Sequence, residues 1–162
     1  MKKKIKLFSR IALINKRYKK NQLYHYFEVP DVSIIIPIIN KKFLVVAQKR
    51  VHIGKINLEF PCGWVDLGET ASQSASRELL EETGYKSLTA PKKLIKFYEE
   101  PGRMNSKAHC FFSEKLIKID KPENGIKIFF YTEKEISSLI KKNKFNNGTH
   151  IAAFYKFLSL KF

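Results

Sequence analysis

Cysteine is scarce in this 162-residue chain. Cys62 and Cys110 are too few for a disulfide framework, and no Cys/His cluster has the close spacing of a zinc site. A reducing compartment, the cytoplasm, is expected. Long apolar runs are missing too: stretches such as Val32 to Ile39, with Pro37 inside, fall far short of the roughly 18 residues a membrane span needs. Lys2, Lys3 and Lys4 imitate the basic start of a secretory leader, but Lys6 and Arg10 interrupt the apolar stretch that should follow, so export is not expected. No repeat, low-complexity linker or composition break divides the chain, and its length suits one domain over residues 1–162.

Negative charge is the other shortage. Fifteen Asp and Glu against 31 Lys and Arg leave a net charge of +16, which taken alone suggests a polyanionic partner such as nucleic acid. Most of the cations are lysines, in a sequence also rich in Ile and Asn, and a coding bias toward A/T-rich codons produces that combination whatever the function. The second account is favoured over a nucleic-acid partner. The placement of the few acids is more informative. Five of the 15 (Asp66, Glu69, Glu78, Glu81 and Glu82) fall between Gly63 and Tyr85.

Segments rich in β-branched and aromatic residues predict strands at IALI, LYHYFEV, VSIIIPII and FLVVAQ within residues 10–50, with a hairpin turn at Asn40-Lys41-Lys42. A short strand is expected at Leu58 to Phe60, then a loop from Gly63 to Glu69. Thr70 and Gln73 form an S/T-x-x-E/Q capping box and Gly84 suits a left-handed helix end, so a helix is predicted over Ala71 to Thr83. Further strands follow at LIKFYEE, AHCFF and IKIFFY, with helices near Glu133 to Lys142 and Thr149 to Leu158. The fold class is mixed α/β, a curved mixed sheet with the Thr70-capped helix packed on it.

On that helix, with Glu78 set at about 0°, Glu82 falls near about 40° and Glu81 near about 300°, so the three carboxylates share one face. Like charges at these spacings repel by roughly 0.2 to 0.5 kcal/mol per pair, and a hard divalent cation relieves the repulsion. Spacing alone therefore admits a Mg²⁺ site or a solvated acidic face.

The wider register separates the two. Gly63, Glu69, Arg77, Glu78, Glu81, Glu82 and Gly84 match every fixed letter of G-x5-E-x7-R-E-U-x-E-E-x-G-U, with Tyr85 an aromatic at the closing aliphatic position. Seven such identities coincide by chance on the order of 10⁻⁸ to 10⁻⁹ per starting point. The chain thus resembles the Nudix hydrolases. The resemblance implies an α/β/α sandwich and Mg²⁺-dependent (or Mn²⁺-dependent) hydrolysis of a nucleoside diphosphate linked to another group. It implies Glu78, Glu81, Glu82 and the backbone carbonyl of Cys62 as metal ligands, the Cys62 thiol being a bystander, and Glu81 as a further ligand or base. It also implies an Arg77–Glu69 pair that holds the loop to the helix. Arg77 is one of only five arginines, which favours a geometric role over coding bias.

The flanks Gln48-Lys49-Arg50, Leu58-Glu59-Phe60-Pro61-Cys62-Gly63, Asp66-Leu67-Gly68-Glu69, Pro101-Gly102-Arg103-Met104-Asn105 and Asn147-Gly148-Thr149 are similar to the ADP-ribose and nucleotide-sugar pyrophosphatases of that superfamily. The resemblance implies ADP-ribose as substrate, with AMP and ribose 5-phosphate as products, and a homodimer in which residues 1–30 pack across the interface. Arg50 and Arg103 are candidate phosphate clamps, and Trp64 and Tyr26, with Tyr24 and Phe27, candidate stacking partners. Other substrates in view are GDP-mannose, a dinucleoside polyphosphate or a nucleoside triphosphate; a different class is a catalytically weak module that binds nucleotide or RNA. Two positions depart from the group. Glu100 precedes Pro101 where Ser is usual, and Ser106 stands where a loop glutamate is expected, so Glu81 becomes the first candidate base, ahead of Glu99, Glu100 and Glu114. His52 and His109 are weaker candidates for any such role.

Overall fold

The chain alternates short strands with three helices, and a computed structural model describes residues 2–8, 10–19 and 22–161. In chain order the strands are β1 Lys2–Phe8, β2 Ile11–Lys19, β3 Gln22–Glu28, β4 Val32–Ile39, β5 Lys42–Arg50, β6 Lys55–Glu59 and β7 Cys62–Trp64. After helix α1, Ala71–Thr83, come β8 Tyr85–Ser87, β9 Lys92–Tyr98, β10 Lys107–Ser113, β11 Leu116–Lys118 and β12 Lys127–Tyr131. Helices α2, Glu133–Lys141, and α3, Gly148–Leu158, close the chain.

The main sheet runs β12-β5-β4-β10-β9, with β6 added to β5 and β7 to β4; β10 lies parallel to β4, and the other pairings are antiparallel. The period of two along β4 divides the core. Ile34 and Ile36 pack with Phe43, Val45 and Cys110 against Ala153, Phe154 and Phe157 of α3 and Ile136 of α2. Ile35 faces the opposite way, onto Ala75 and Leu79 of α1. Helices thus cover both faces of a mixed sheet, the expected sandwich.

One local feature opens the sheet. The β4–β5 hairpin turns on Asn40 and Lys41, both at positive φ (50° and 63°), but only Ile38 with Phe43 and Ile39 with Lys42 are paired. The ladder stops at Pro37, which has no N–H to donate. Beyond it the strands separate; β5 continues beside β6 and β4 beside β7. The gap between these two strand pairs becomes the cleft described below.

β1, β2 and β3 form a separate antiparallel sheet. Its third strand is tied to the segment after β9. Phe27 N–H donates to the Arg103 carbonyl at 2.7 Å, Asn105 N–H to the Phe27 carbonyl at 3.2 Å, and the Tyr24 hydroxyl to the Gly102 carbonyl at 3.0 Å. β1 was not among the expected strands, nor were the three-residue strands β7, β8 and β11. Among the described residues no helix is long and apolar enough to cross a membrane.

Candidate active site

Helix α1 begins and ends where its local chemistry requires. Thr70 Oγ1 accepts from Gln73 N–H at 3.3 Å, while Gln73 Oε1 accepts from Thr70 N–H at 2.9 Å, satisfying two donors of the first turn. Gly84 ends it at φ 69°; a Cβ there would be strained by the left-handed backbone and would lie 2.0 Å from the Asp120 carbonyl oxygen.

Between these ends the helix sets its three glutamates in different surroundings. Glu82 is 5% exposed and accepts a hydrogen bond from Cys62 N–H at 3.1 Å; burial pushes its carboxyl up to about 8. The Glu78 carboxylate lies directly over Gly63, where any Cβ would sit 2.0 Å from Oε1. Glycine at this position therefore makes room for the carboxylate. Burial also raises the Glu78 carboxyl. Glu81 projects outward with half of its side chain exposed.

Arg77 binds this group together. Its Nε and Nη2 donate to the two oxygens of Glu69, each at 3.1 Å, in a bidentate pair. Nη1 reaches Glu78 at 2.6 Å and Glu81 at 3.0 Å, and Nη2 also reaches the Trp64 carbonyl at 3.1 Å. The Arg77 hydrogen bonds hold the Glu69 carboxyl below the usual carboxylate range, and Glu69 in turn raises the guanidinium.

The strand separation at Pro37 leaves a cleft of about 410 Å³ beside this helix, lined by Val32, Arg50, Asn57, Glu59, Glu99 and His150 among others. Cys62 lines it as well, and through its N–H on Glu82 joins it to the acidic face. Arg50 Nε donates to Glu59 at 3.2 Å and its Nη2 bonds the other carboxylate oxygen, while Asn57 Nδ2 adds a bond at 2.7 Å. Burial pushes the Glu59 carboxyl up, but the hydrogen bonds from Arg50 and Asn57 outweigh it and the net shift is downward. The Glu59 hydrogen bond raises Arg50.

Two donor sets present themselves for a metal. The first is hard oxygen only: Glu78, Glu82 and Glu81. Two desolvated carboxylates raised toward the protonated form and a glycine that clears space for one of them fit a divalent cation that prefers oxygen. The second comprises Glu59, Cys62 and His150, whose donor atoms lie within 4.8 Å of one another. It fits poorly. Burial pushes the Cys62 thiol up, away from the thiolate a metal needs, and His150 Nδ1 accepts from Phe60 N–H at 3.0 Å, which leaves the proton of the neutral ring on Nε2. Burial lowers His150 to about 4, so the ring stays neutral.

The other sequence candidates are spread more widely. Arg50 is on the cleft wall. Arg103 lies on the exposed turn after β9, and Tyr26 is half-buried on β3, 6.5 Å from Tyr24; among the described residues neither lines the cleft. Trp64 is 41% exposed, and the Arg10 guanidinium carbon sits 5.7 Å from its ring centroid, so that part of its surface is taken by the protein itself. Glu99 lines the cleft, its carboxylate 2.7 Å from the buried Ser106 hydroxyl, whereas Glu114 pairs with Lys92 at 3.1 Å. His52 lines the cleft, and His109 is 2.7 Å from Asp31. Sequence reasoning passed over the partnership of Glu59 with Arg50, the placing of His150 and the reach of Arg10. Glu59 stood inside the Leu58-to-Gly63 motif, but its partner becomes visible only from the β5–β6 register.

The chain is similar to known proteins in sequence and in fold. The NUDIX domain family model matches residues 29–154. An ADP-ribose pyrophosphatase of Bacillus subtilis (strain 168) is 30% identical over 114 residues, 68% of this chain and 58% of that protein, so the chain spans less than two thirds of this relative. A methanol dehydrogenase activator of Bacillus methanolicus is 28% identical over 152 residues, 90% of this chain and 80% of that one. A crystal structure of an ADP compounds hydrolase superposes with a TM-score of 0.79 over 98% of this chain and 93% of that one; at 18% identity this is a likeness of fold. The matched stretch begins at Val29 and takes in the acidic helix, the Arg50–Glu59 cleft and most of α3, and by that match the chain belongs to the Nudix family.

Proposed function

We propose that the protein hydrolyses the pyrophosphate bond of a nucleoside diphosphate sugar, with ADP-ribose giving AMP and ribose 5-phosphate. One observation carries the proposal: the desolvated Glu82 and Glu78, held by Cys62 N–H and above Gly63, adjoin a cleft that presents the Arg50 guanidinium. The name of the Bacillus subtilis relative supports an ADP-linked substrate.

Glu78, Glu81, Glu82 and the Cys62 carbonyl would hold Mg²⁺ or Mn²⁺, which when bound activates water and neutralises phosphate oxygens. Arg50 meets the diphosphate, its plane fixed by Glu59 so that little rotamer entropy is lost on binding. Glu81, the exposed member of the three, takes the proton from the attacking water. Glu99 is the second candidate for that role, because it lines the cleft and is held by Ser106. Water adds across the P–O–P bond and each product leaves with one phosphate.

A homodimer belongs to the same proposal. Ile5, Leu13 and Phe27 stand in one cross-strand row of the N-terminal sheet, with Ile5 39% and Phe27 42% exposed, as an interface would require. Free Cys62 and Cys110 suit the reducing cytoplasm.

The test is turnover of ADP-ribose, GDP-mannose, diadenosine polyphosphates and nucleoside triphosphates with Mg²⁺, alongside Glu82→Gln. ADP-ribose should be the best substrate. The variant should lose at least about a hundredfold in kcat, since removing even an outer partner of a metal ligand costs about 10- to 100-fold. Equal rates in variant and wild type sink the metal assignment. No turnover on any substrate, together with salt-sensitive RNA binding, favours a binding module.

A further inference from the structure

Arg10 follows β1 in sequence, yet its side chain ends at the loop that precedes α1. Nη1 donates to Asp66 Oδ1 at 2.6 Å, Nη2 donates to the Val65 carbonyl, and the guanidinium carbon lies 5.7 Å from the centroid of the Trp64 ring. An ion pair, a backbone hydrogen bond and a cation–π contact thus fall on three consecutive residues. The Arg10 side chain is 25% exposed.

The same loop is held from the opposite side by Arg77, which takes the Trp64 carbonyl at 3.1 Å and both Glu69 oxygens. Asp66 lies between the two guanidiniums. Its Oδ1 is held by Arg10, its Oδ2 is 3.7 Å from Arg77 Nη2, and its N–H donates to Glu69 at 3.1 Å. Arg77 already serves Glu69, Glu78, Glu81 and the Trp64 carbonyl. A free Asp66 carboxylate would be one more competitor for it.

We propose that Arg10 is a positioning residue for the acidic site: by holding Asp66, Val65 and Trp64 it limits Asp66 to a long contact with Arg77, 3.7 Å, and keeps β7 in register with α1. The placement of the N-terminal sheet thereby sets the geometry at Glu78 and Glu82. This rests on the reading of that site as one for a divalent cation. The route is short. Trp64 closes β7, whose Gly63 lies under Glu78 and whose Cys62 N–H bonds Glu82. Without Arg10, Asp66 closes on Arg77, draws it from Glu69, and the loop pulls β7 out of place.

Trp64 is the only tryptophan of the chain, so its fluorescence reports on the clamp directly. The experiment compares the wild type with Arg10→Ala, Arg10→Lys and the double variant Arg10→Ala/Asp66→Asn. Three readouts are taken: acrylamide quenching of Trp64, Mn²⁺ affinity by electron paramagnetic resonance, and kcat and KM for the best substrate. In Arg10→Ala, Trp64 should be quenched more readily and Mn²⁺ bound about three- to tenfold more weakly, at or below the low end of losses seen for outer partners of metal ligands. kcat should fall with KM within about twofold. Arg10→Lys should not restore the wild type, because a single nitrogen cannot occupy both Nη positions or lay a planar cation against the ring. The double variant should bind Mn²⁺ more tightly than Arg10→Ala alone, since the competitor for Arg77 has lost its charge.

Unchanged quenching in Arg10→Ala overturns the clamp. Changed quenching with unchanged Mn²⁺ affinity overturns its coupling to the site, and a double variant no better than Arg10→Ala overturns the competition by Asp66. A wild type that binds no Mn²⁺ instead refutes the cation site itself, a failure visible before any variant is compared. If Arg10→Ala does not fold, Arg10→Lys carries the same comparisons.

Discussion

The segment from Cys62 to Tyr85 and the N-terminal sheet from Lys2 to Glu28 are of similar length but are held together in different ways. In the first, side chains tie the backbone at almost every turn: Thr70 with Gln73, Arg77 with Glu69, Glu78 and Glu81, and Glu82 with Cys62 N–H. In the second, the backbone ladder does most of the work, with ties such as Lys4 to Glu28 and Asn15 to His25. Charge divides them further, for residues 1–28 hold nine Lys and Arg against one acid, Glu28. A structure built from specific side-chain bonds tolerates few substitutes and leaves a motif in the sequence. One built from ladder bonds accepts many sequences and leaves little trace.

The largest effect should come from breaking the first kind of structure at its tightest point. Gly63→Ala places a Cβ 2.0 Å from Glu78 Oε1, too close for any contact, so Glu78 must leave its place. The clash falls on the far end of a flexible side chain, which can swing aside, so the cost in stability should be under about 1 kcal/mol. Turnover should fall by about the hundredfold expected of a disturbed metal ligand, read as kcat, with the midpoint of urea unfolding little changed. A Gly63→Ala protein with wild-type kcat would show that the close approach is not needed.

The same contrast explains what the sequence revealed. The limits of α1 were legible, Ala71 to Thr83 as expected, because Thr70, Gln73 and Gly84 act through contacts inside or next to the helix. The register of acids on its face was legible for the same reason. β1 was not, since the alternation in Lys2-Lys3-Lys4-Ile5-Lys6-Leu7-Phe8 runs only from Lys4 to Leu7, among four lysines, and the segment becomes a strand by pairing with β2. β7 spans only Cys62 to Trp64 and exists because β4 offers it an edge. In the cleft, Arg50 meets Glu59 across the β5–β6 register, and Phe60 meets His150 from a distant part of the chain. Those contacts depend on topology, which no local pattern states.

A smaller effect should follow from the burial that distinguishes Glu82 from an exposed acid. Its carboxyl titrates near 8 when folded and near 4.5 when unfolded. Between these values the folded protein retains a proton that the unfolded chain has released, so in chelator stability is full below the lower value and declines as pH rises toward the upper one. Glu78 shifts in the same direction. Glu69 and Glu59 are lowered, and the stability they add is lost only as pH falls through the acid range, outside this window. His150, lowered to about 4 by burial, adds stability as pH rises to about 6.5 and opposes the loss below that point, so the loss should be read from about pH 6.5 to about pH 8, where it should be on the order of 1–2 kcal/mol. Saturating Mg²⁺ or Mn²⁺ should shrink it by replacing the proton with a cation. Thermal melts at both pH values, with chelator and with metal, measure the difference; a metal-free protein equally stable at both would mean that Glu82 is already ionised.

The smallest effect on the site itself should come from the sheet. Leu13→Lys places a charge in the middle of the row formed with Ile5 and Phe27, on a face that the described residues leave partly exposed. Within one chain the cost should be under about 1 kcal/mol, as for most surface substitutions, because the ladder bonds of β2 do not depend on the side chain. Between two chains it should be decisive, since a buried unpaired charge in an apolar contact costs several kcal/mol and is avoided by dissociation. Light scattering should therefore show a dimer for the wild type and a monomer for the variant, with the melting temperature of the dilute protein little changed. If the wild type is monomeric, the exposed row has another use. If the variant instead unfolds, Leu13 belongs to a core as demanding as that of α1, and the two regions are less different than their bonding suggests.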